Sequence, residues 1–252
     1  MTPAASALGR RRTNAAAILV LATLLCTSSM LARPLRAQTS REQGDLIAAL
    51  PLHAVSVGST GRLLVVLITG DGGYASGDRG IADTFVSQGI PVVALDARAY
   101  LMKARLPDEA ARDVAHVMEH YLAMWHRDSL VFVGYSRGAD IAPFIVTRLP
   151  ADLLRRVKLV AMVGLADHAS FQFHWTDLVR DVRRATDRQV APEVMKIHGV
   201  NMLCFYGVKE KHSLCPTFPS SVMRVEQHGG DHTLSGEAGA EVAQKILREP
   251  GF

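Results

Sequence analysis

Short, wholly apolar runs recur along this chain, and each is followed by a stretch with helical periodicity. Leu63 to Thr69 (LLVVLIT), Ile90 to Asp96 (IPVVALD), Leu130 to Gly134 and Leu159 to Gly164 (LVAMVG) read as strands buried on both faces. Met202 to Tyr206 and Val222 to Glu226 read as two more, with a weaker strand around His53 to Val57. Ile81 to Gln88 reads as a helix ended by Gly89. Pro107 to Trp125 reads as a long amphipathic helix with Pro107, Asp108 and Glu109 in its first turn. Gly138 to Leu149 and about Gly236 to Arg248 are the remaining helices. Doubly buried strands need helices on both faces, so right-handed β-α-β crossovers and a mostly parallel α/β sheet are expected. The segment 166–200 breaks the alternation. It reads equally well as a small cap over a site or as a peripheral crossover.

The 252 residues are 48% hydrophobic and 21% charged, which excludes a disordered chain and supplies a substantial core. The formal charge of +4 is misleading as a sign of nucleic-acid binding. Arg10, Arg11, Arg12, Arg33 and Arg36 fall in the first 37 residues, which contain no acidic side chain. Removing those five from the 28 Lys and Arg leaves 23 basic against 24 acidic side chains. No broad cationic face is expected on the remainder, and no nucleic-acid partner.

Those first residues have the plan of an export signal. Three arginines precede the apolar stretch Ala15 to Cys26 (AAAILVLATLLC), and small residues follow, with Ala32 and Ala37 as candidate cleavage positions. The apolar stretch is shorter than the roughly 20 residues that cross a bilayer. A signal peptide over 1–37, cut at Ala37, is expected, leaving a single domain over 38–252; an uncleaved anchor is the alternative. Cys26 would leave with it, so Cys204 and Cys215 are expected to pair in an oxidising compartment, buried free thiols being the other reading. His212 lies between them, but the spacing does not make a metal site.

The third strong strand runs straight into Gly134-Tyr135-Ser136-Arg137-Gly138, and a helix follows at once. This is G-x-S-x-G in the strand-turn-helix setting of the nucleophile elbow, where a serine is presented on a tight turn at the top of an α/β-hydrolase sheet. Ser136 is the candidate nucleophile. A base is required near the carboxyl terminus, and His232, after Gly229 and Gly230, is the candidate, with His228 as its local rival. Glu210, the only carboxylate between Gly207 and Val222, is the candidate acid. Asp167, after the preceding strand, is the alternative. The Arg137 amide and that of Asp71 or Gly72, in Gly70-Asp71-Gly72-Gly73, are the candidate oxyanion donors. Such chemistry needs no cofactor and no metal.

Four motifs together resemble one family. ITGDGGY at Ile68 to Tyr74, GYSRGADIAPF at Gly134 to Phe144, CFYGVKEKHSLCP at Cys204 to Pro216 and HGGDH at His228 to His232 are similar to the bacterial virulence protein family VirJ/AcvB. The chain departs from the family pattern at Tyr74, Arg137 and His212, where a tryptophan, an aromatic residue and an aspartate are usual. The resemblance implies an exported, periplasmic α/β-hydrolase with a serine nucleophile. It also implies hydrolysis of the aminoacyl ester of lysyl-phosphatidylglycerol, an aminoacylated phospholipid met at the membrane surface, and in some members a link to type IV secretion-system proteins. Asp71, Asp140 and Asp167 are the candidate acids for a lysyl group, with Arg137 beside the nucleophile opposing a cation. A non-catalytic periplasmic adaptor and an esterase of small soluble substrates are the competing readings.

Overall fold

After a helix at residues 44–49 (α1), the chain runs through β1 (Leu52–Val55), β2 (Leu63–Ile68), α2 (Ser76–Ser87), β3 (Val92–Leu95), α3 (Ala97–Leu101), α4 (Pro107–Met124), β4 (Ser129–Tyr135) and α5 (Arg137–Val146). It continues through α6 (Ala151–Leu154), β5 (Val157–Val163), β6 (His168–Ala169), β7 (Arg188–Gln189), α7 (Ala191–Val194), β8 (Asn201–Gly207), β9 (Arg224–His228) and α8 (Gly236–Leu247). This computed structural model describes residues 44–58, 61–178 and 182–250. The expected leader over 1–37, with Cys26 and both cleavage positions, lies outside the described residues. Among those described, no helix is long and apolar enough to cross a membrane.

Seven strands make one sheet in the order β1-β3-β2-β4-β5-β8-β9. Only β1 runs antiparallel to its neighbour; the other pairings are parallel. The register pairs Ile68 with Gly134, Tyr135 with Val163, Val163 with Phe205, and Gly207 with His228. The carboxyl ends of these strands are therefore level, and the loops after β2, β4, β5, β8 and β9 gather along one edge. That edge is where ligands bind in open parallel sheets.

The strands read as continuous apolar runs because alternate side chains enter two separate cores. Leu64, Val66, Ile68 and Phe132 pack with Val114 and Met118 of α4 and Ile141 and Ile145 of α5. Val65, Leu67, Val131 and Val133 pack with Ile81 and Phe85 of α2 and Val242 and Ile246 of α8. From Leu46 onward the chain is one compact unit.

Helix α2 starts at Ser76, well before the expected Ile81, because Gly77 and Gly80 serve packing here rather than ending a helix. A Cβ on Gly80 would lie 2.1 Å from the Gly236 carbonyl oxygen, and one on Gly239 would lie 2.3 Å from that of Gly77. The α2 and α8 backbones thus touch directly. Helix α3, which the sequence did not suggest, is started by the Asp96 carboxylate, which accepts from the Ala99 amide at 2.9 Å. Strand β9 begins at Arg224 rather than Val222, since the Val222 and Met223 amides both turn back onto the Pro219 carbonyl.

In a solvent-facing helix, Gly→Ala gains about 1 kcal/mol. At Gly80 the methyl meets main-chain atoms that cannot rotate away, so Gly80→Ala is expected to destabilise the protein by on the order of 2 kcal/mol. Urea denaturation measures this directly, and a variant as stable as the parent would remove the close contact.

Candidate active site

Ser136 occupies the turn between β4 and α5 at φ 51° and ψ −117°, a backbone conformation that costs a non-glycine residue about 1–3 kcal/mol. Surrounding bonds hold it there. The Ser136 amide donates to the Val163 carbonyl at 2.8 Å, and the Ser136 carbonyl accepts from the Asp140 amide at 3.0 Å. The flanking glycines are steric necessities. A Cβ on Gly134 would lie 2.4 Å from the Gly138 oxygen, and one on Gly138 would lie 2.0 Å from the Ile68 oxygen. Main chain crosses main chain on both sides of the serine, which forces the turn to be sharp.

Ser136 Oγ is 2.8 Å from His232 Nε2, and His232 Nδ1 is 2.7 Å from Glu210 Oε1. With a carboxylate as partner, Nδ1 carries the proton and Nε2 is left to accept from the serine hydroxyl. The other carboxylate oxygen, Oε2, accepts from the Gly207 amide at 3.0 Å. The hydrogen bond that His232 donates to Glu210 raises the His232 pKa above its ordinary value; burial pulls it down, and the charges of Glu210, Asp140 and Asp231 add to the rise. The loop that carries Glu210 is closed by a disulfide between Cys204 and Cys215. The structure thus brings Ser136, His232 and Glu210 into one hydrogen-bonded chain. Asp167 is engaged elsewhere, with Arg183 and with His168 at 2.8 Å. The His228 ring is buried and bonds the Gly229 carbonyl.

The two residues beside the serine act as brackets. Tyr135 donates its hydroxyl proton to the His232 carbonyl at 3.2 Å and accepts from the Leu234 amide at 2.9 Å. This fixes the histidine loop against the elbow. The Arg137 guanidinium grips both oxygens of Asp71, at 3.0 and 2.8 Å, and reaches Asp177 at 3.2 Å. Burial works against the Arg137 charge, and the Asp71 hydrogen bonds outweigh it, so its pKa is raised. Neither Tyr135 nor Asp177 stands out in the sequence. The two free positions of G-x-S-x-G are the only signal, since their side chains must project beside Ser136.

The 70–73 loop lies against the serine: a Cβ on Gly70 would be 3.1 Å from Ser136 Cβ, and the Gly73 amide closes the turn onto the Gly70 carbonyl at 3.0 Å. Through Asp71, Arg137 ties this loop to the elbow, beside the Asp71 and Gly72 amides. The amide of Arg137 itself is at the first position of α5, where a helix has no use for it.

A family model described as bacterial virulence protein (VirJ) matches residues 62–250, about three quarters of the chain. The chain belongs to the VirJ family. Among curated proteins none matches it significantly. Solved structures similar to it include Est1E from Butyrivibrio proteoclasticus, 11% identical, with a TM-score of 0.54 over 78% of this chain and 91% of that one. Naproxen esterase from Bacillus subtilis is 16% identical, with a TM-score of 0.51 over 84% of this chain and 95% of that one. The esterase domain of a Rhodothermus marinus protein is 14% identical, with a TM-score of 0.52 over 77% and 88%. The fold is that of the α/β-hydrolases.

In this VirJ family member, Ser136 and His232 border a cavity of about 690 Å³. Residues from Ala166 to Asp187, in the segment expected as a cap, form part of its wall. Apart from Ala166, Val182 and Leu214, every lining residue has a polar side chain. Of the acids considered for a cationic group, Asp71 is neutralised by Arg137, and Asp167 by Arg183. Asp140 is different. It is buried on the first turn of α5, accepts from the Ala166 amide at 2.8 Å, and among the described residues forms no ion pair. Burial pushes its carboxyl up to about 7. Arg137, expected to oppose a cation, has its charge matched by Asp71 and Asp177.

His232 is therefore expected to titrate above the usual histidine value of about 6.5. Glu210→Gln should lower that titration and Asp167→Asn should leave it in place, as followed by NMR of the ring carbon-bound protons. A lowering caused by Asp167→Asn instead would reassign the acid.

Proposed function

We propose that this protein is a periplasmic serine hydrolase that cleaves the aminoacyl ester of lysyl-phosphatidylglycerol. The observation that carries the reading is the Ser136–His232–Glu210 hydrogen-bonded chain at a sharp elbow facing a polar cavity. The Cys204–Cys215 bridge and the leader's composition support a site of action outside the cytoplasm.

His232 Nε2 takes the Ser136 hydroxyl proton as Oγ attacks the ester carbonyl, and Glu210 stabilises the resulting imidazolium. The amides of Arg137 and of Asp71 or Gly72 receive the oxyanion. Collapse expels the glycerol hydroxyl of phosphatidylglycerol, which takes its proton from His232, and leaves lysine esterified to Ser136. Water, deprotonated by the same imidazole, then releases lysine and restores the serine.

Cavity chemistry supports a charged acyl group over an apolar one, because hydrocarbon would gain little from so polar a lining. The unpaired Asp140 carboxylate, one turn beyond Ser136, is suited to hold an ammonium of the lysyl group. At a carboxyl that burial holds near 7, an incoming ammonium would favour the ionised form, a contact worth about 1.5–3 kcal/mol.

Ser136→Ala is expected to lose labelling by a fluorophosphonate probe and to reduce release of lysine from lysyl-phosphatidylglycerol by on the order of 10⁴-fold or more, with the fold intact by circular dichroism. Retained hydrolysis would overturn the nucleophile, and an intact but inert parent protein would favour a binding role.

Asp140→Asn tests the substrate. With His232 neutral in the assay, KM for the lysyl ester should rise by about 10- to 100-fold while kcat changes much less. Esters with an uncharged acyl group should show no such rise. An equal loss on both would make Asp140 structural.

A further inference from the structure

Among the described residues, the large apolar side chains that stand in solvent outside the two cores include Met102 at 52% exposure, Leu106 at 65% and Trp175 at 63%. These three come from two segments that the fold joins. Met102 and Leu106 follow α3, which leaves β3 at the carboxyl edge of the sheet, and Trp175 belongs to the segment after β5 at the same edge. The Phe173 amide donates to the Leu101 carbonyl at 2.8 Å and the Arg105 amide to the Phe171 carbonyl at 2.9 Å, which stitches 101–105 to 171–173. The Phe173 ring meets Trp175 edge-on at 5.2 Å, and the Arg98 guanidinium stands 5.9 Å from the Trp175 ring centre.

Within the two stretches that carry these side chains the charges have one sign, and the nearby carboxylates are paired, Asp108 with Arg148 and Asp177 with Arg137 and Arg184. Residues 97–106 contain Arg98, Lys103 and Arg105, and neither they nor residues 170–176 contain a carboxylate. Arg105 is taken by Glu109, while Arg98 and Lys103 are exposed. The surface also borders the cavity, since Asp177, two residues beyond Trp175, lines it and contacts Arg137. A tryptophan with exposed aliphatic neighbours and flanking cations suits the headgroup zone of an anionic bilayer. Two copies of this chain meeting here would bring like charges together, which weighs against self-association.

We propose that Trp175, Met102 and Leu106, flanked by Arg98 and Lys103, form a membrane-docking surface that seats the cavity mouth on an anionic bilayer. This rests on the lipid-ester reading for its purpose, but its binding test does not depend on hydrolysis. The surface shortens the path a headgroup ester must travel, because the protein meets the lipid with its cavity beside the contact.

The experiment uses the chain from residue 38 with Trp125→Phe, so that Trp175 is the sole tryptophan, and vesicles of phosphatidylglycerol with phosphatidylethanolamine, or of phosphatidylcholine alone. The expected result is a blue shift of Trp175 emission, with quenching by brominated acyl chains, on the anionic vesicles only. In the otherwise unaltered chain, Trp175→Ala, and separately Arg98→Glu with Lys103→Glu, should weaken cosedimentation with anionic vesicles by about tenfold or more. Turnover of a soluble aminoacyl ester should stay at the parent level. No emission change on anionic vesicles, equal binding to both kinds of vesicle, or a dimer abolished by Trp175→Ala would each overturn the docking surface. Lipid-ester hydrolysis without docking would leave the proposed reaction standing, and docking without hydrolysis would remove the reaction alone.

Discussion

Ser136 is held in a conformation that a free chain would abandon, and much of the molecule exists to keep it there. The strain is local, but its restraint comes from three strands: β4 delivers the serine, β5 accepts its amide through Val163, and the end of β2 lies against Gly138. A sharp turn alone would present a hydroxyl to solvent. Here the strand register sets the turn level with the loops that carry His232 and Glu210, so the hydroxyl finds its partner without a further conformational search.

The cavity illustrates how charge count and available charge differ. Asp71, Arg137, Asp177 and Arg184 form one alternating string, with Arg184 reaching Asp177 at 2.6 Å. Each member compensates the next, so the string contributes rigidity more than field. It ties the 70–73 loop, the elbow and the wall segment together. What remains for a visitor is the carboxylate that the string does not reach, Asp140.

Most of the architecture was legible because doubly buried strands are written as uninterrupted apolar runs, and the elbow because Gly134 and Gly138 have no substitute. The start of α2 was not, since glycine ordinarily weakens helices and only the distant α8 explains Gly77 and Gly80. Strand β9 is half-exposed along much of its length, so it carried little apolar signal and its start was misplaced. At the site, spacing alone left two acids for the histidine. The structure separates them by their partners: Glu210 faces His232, and Asp167 faces Arg183. The bracketing role of Arg137 was hidden for a similar reason, because its partners Asp71 and Asp177 lie far along the chain on either side.

Helices α2 and α8 follow directly on the 70–73 loop and the His232 loop, and they meet through glycine, main chain against main chain. Spacing set by side chains drifts when those side chains are exchanged, whereas spacing set by peptide groups has no adjustable part. The gap between the 70–73 loop and the His232 loop is thus insulated from the composition of the cavity wall. Replacement of wall residues can alter which molecules the cavity fits while the Ser136–His232 geometry stays in place, which makes the wall and the hydrogen-bonded chain separately variable in this scaffold.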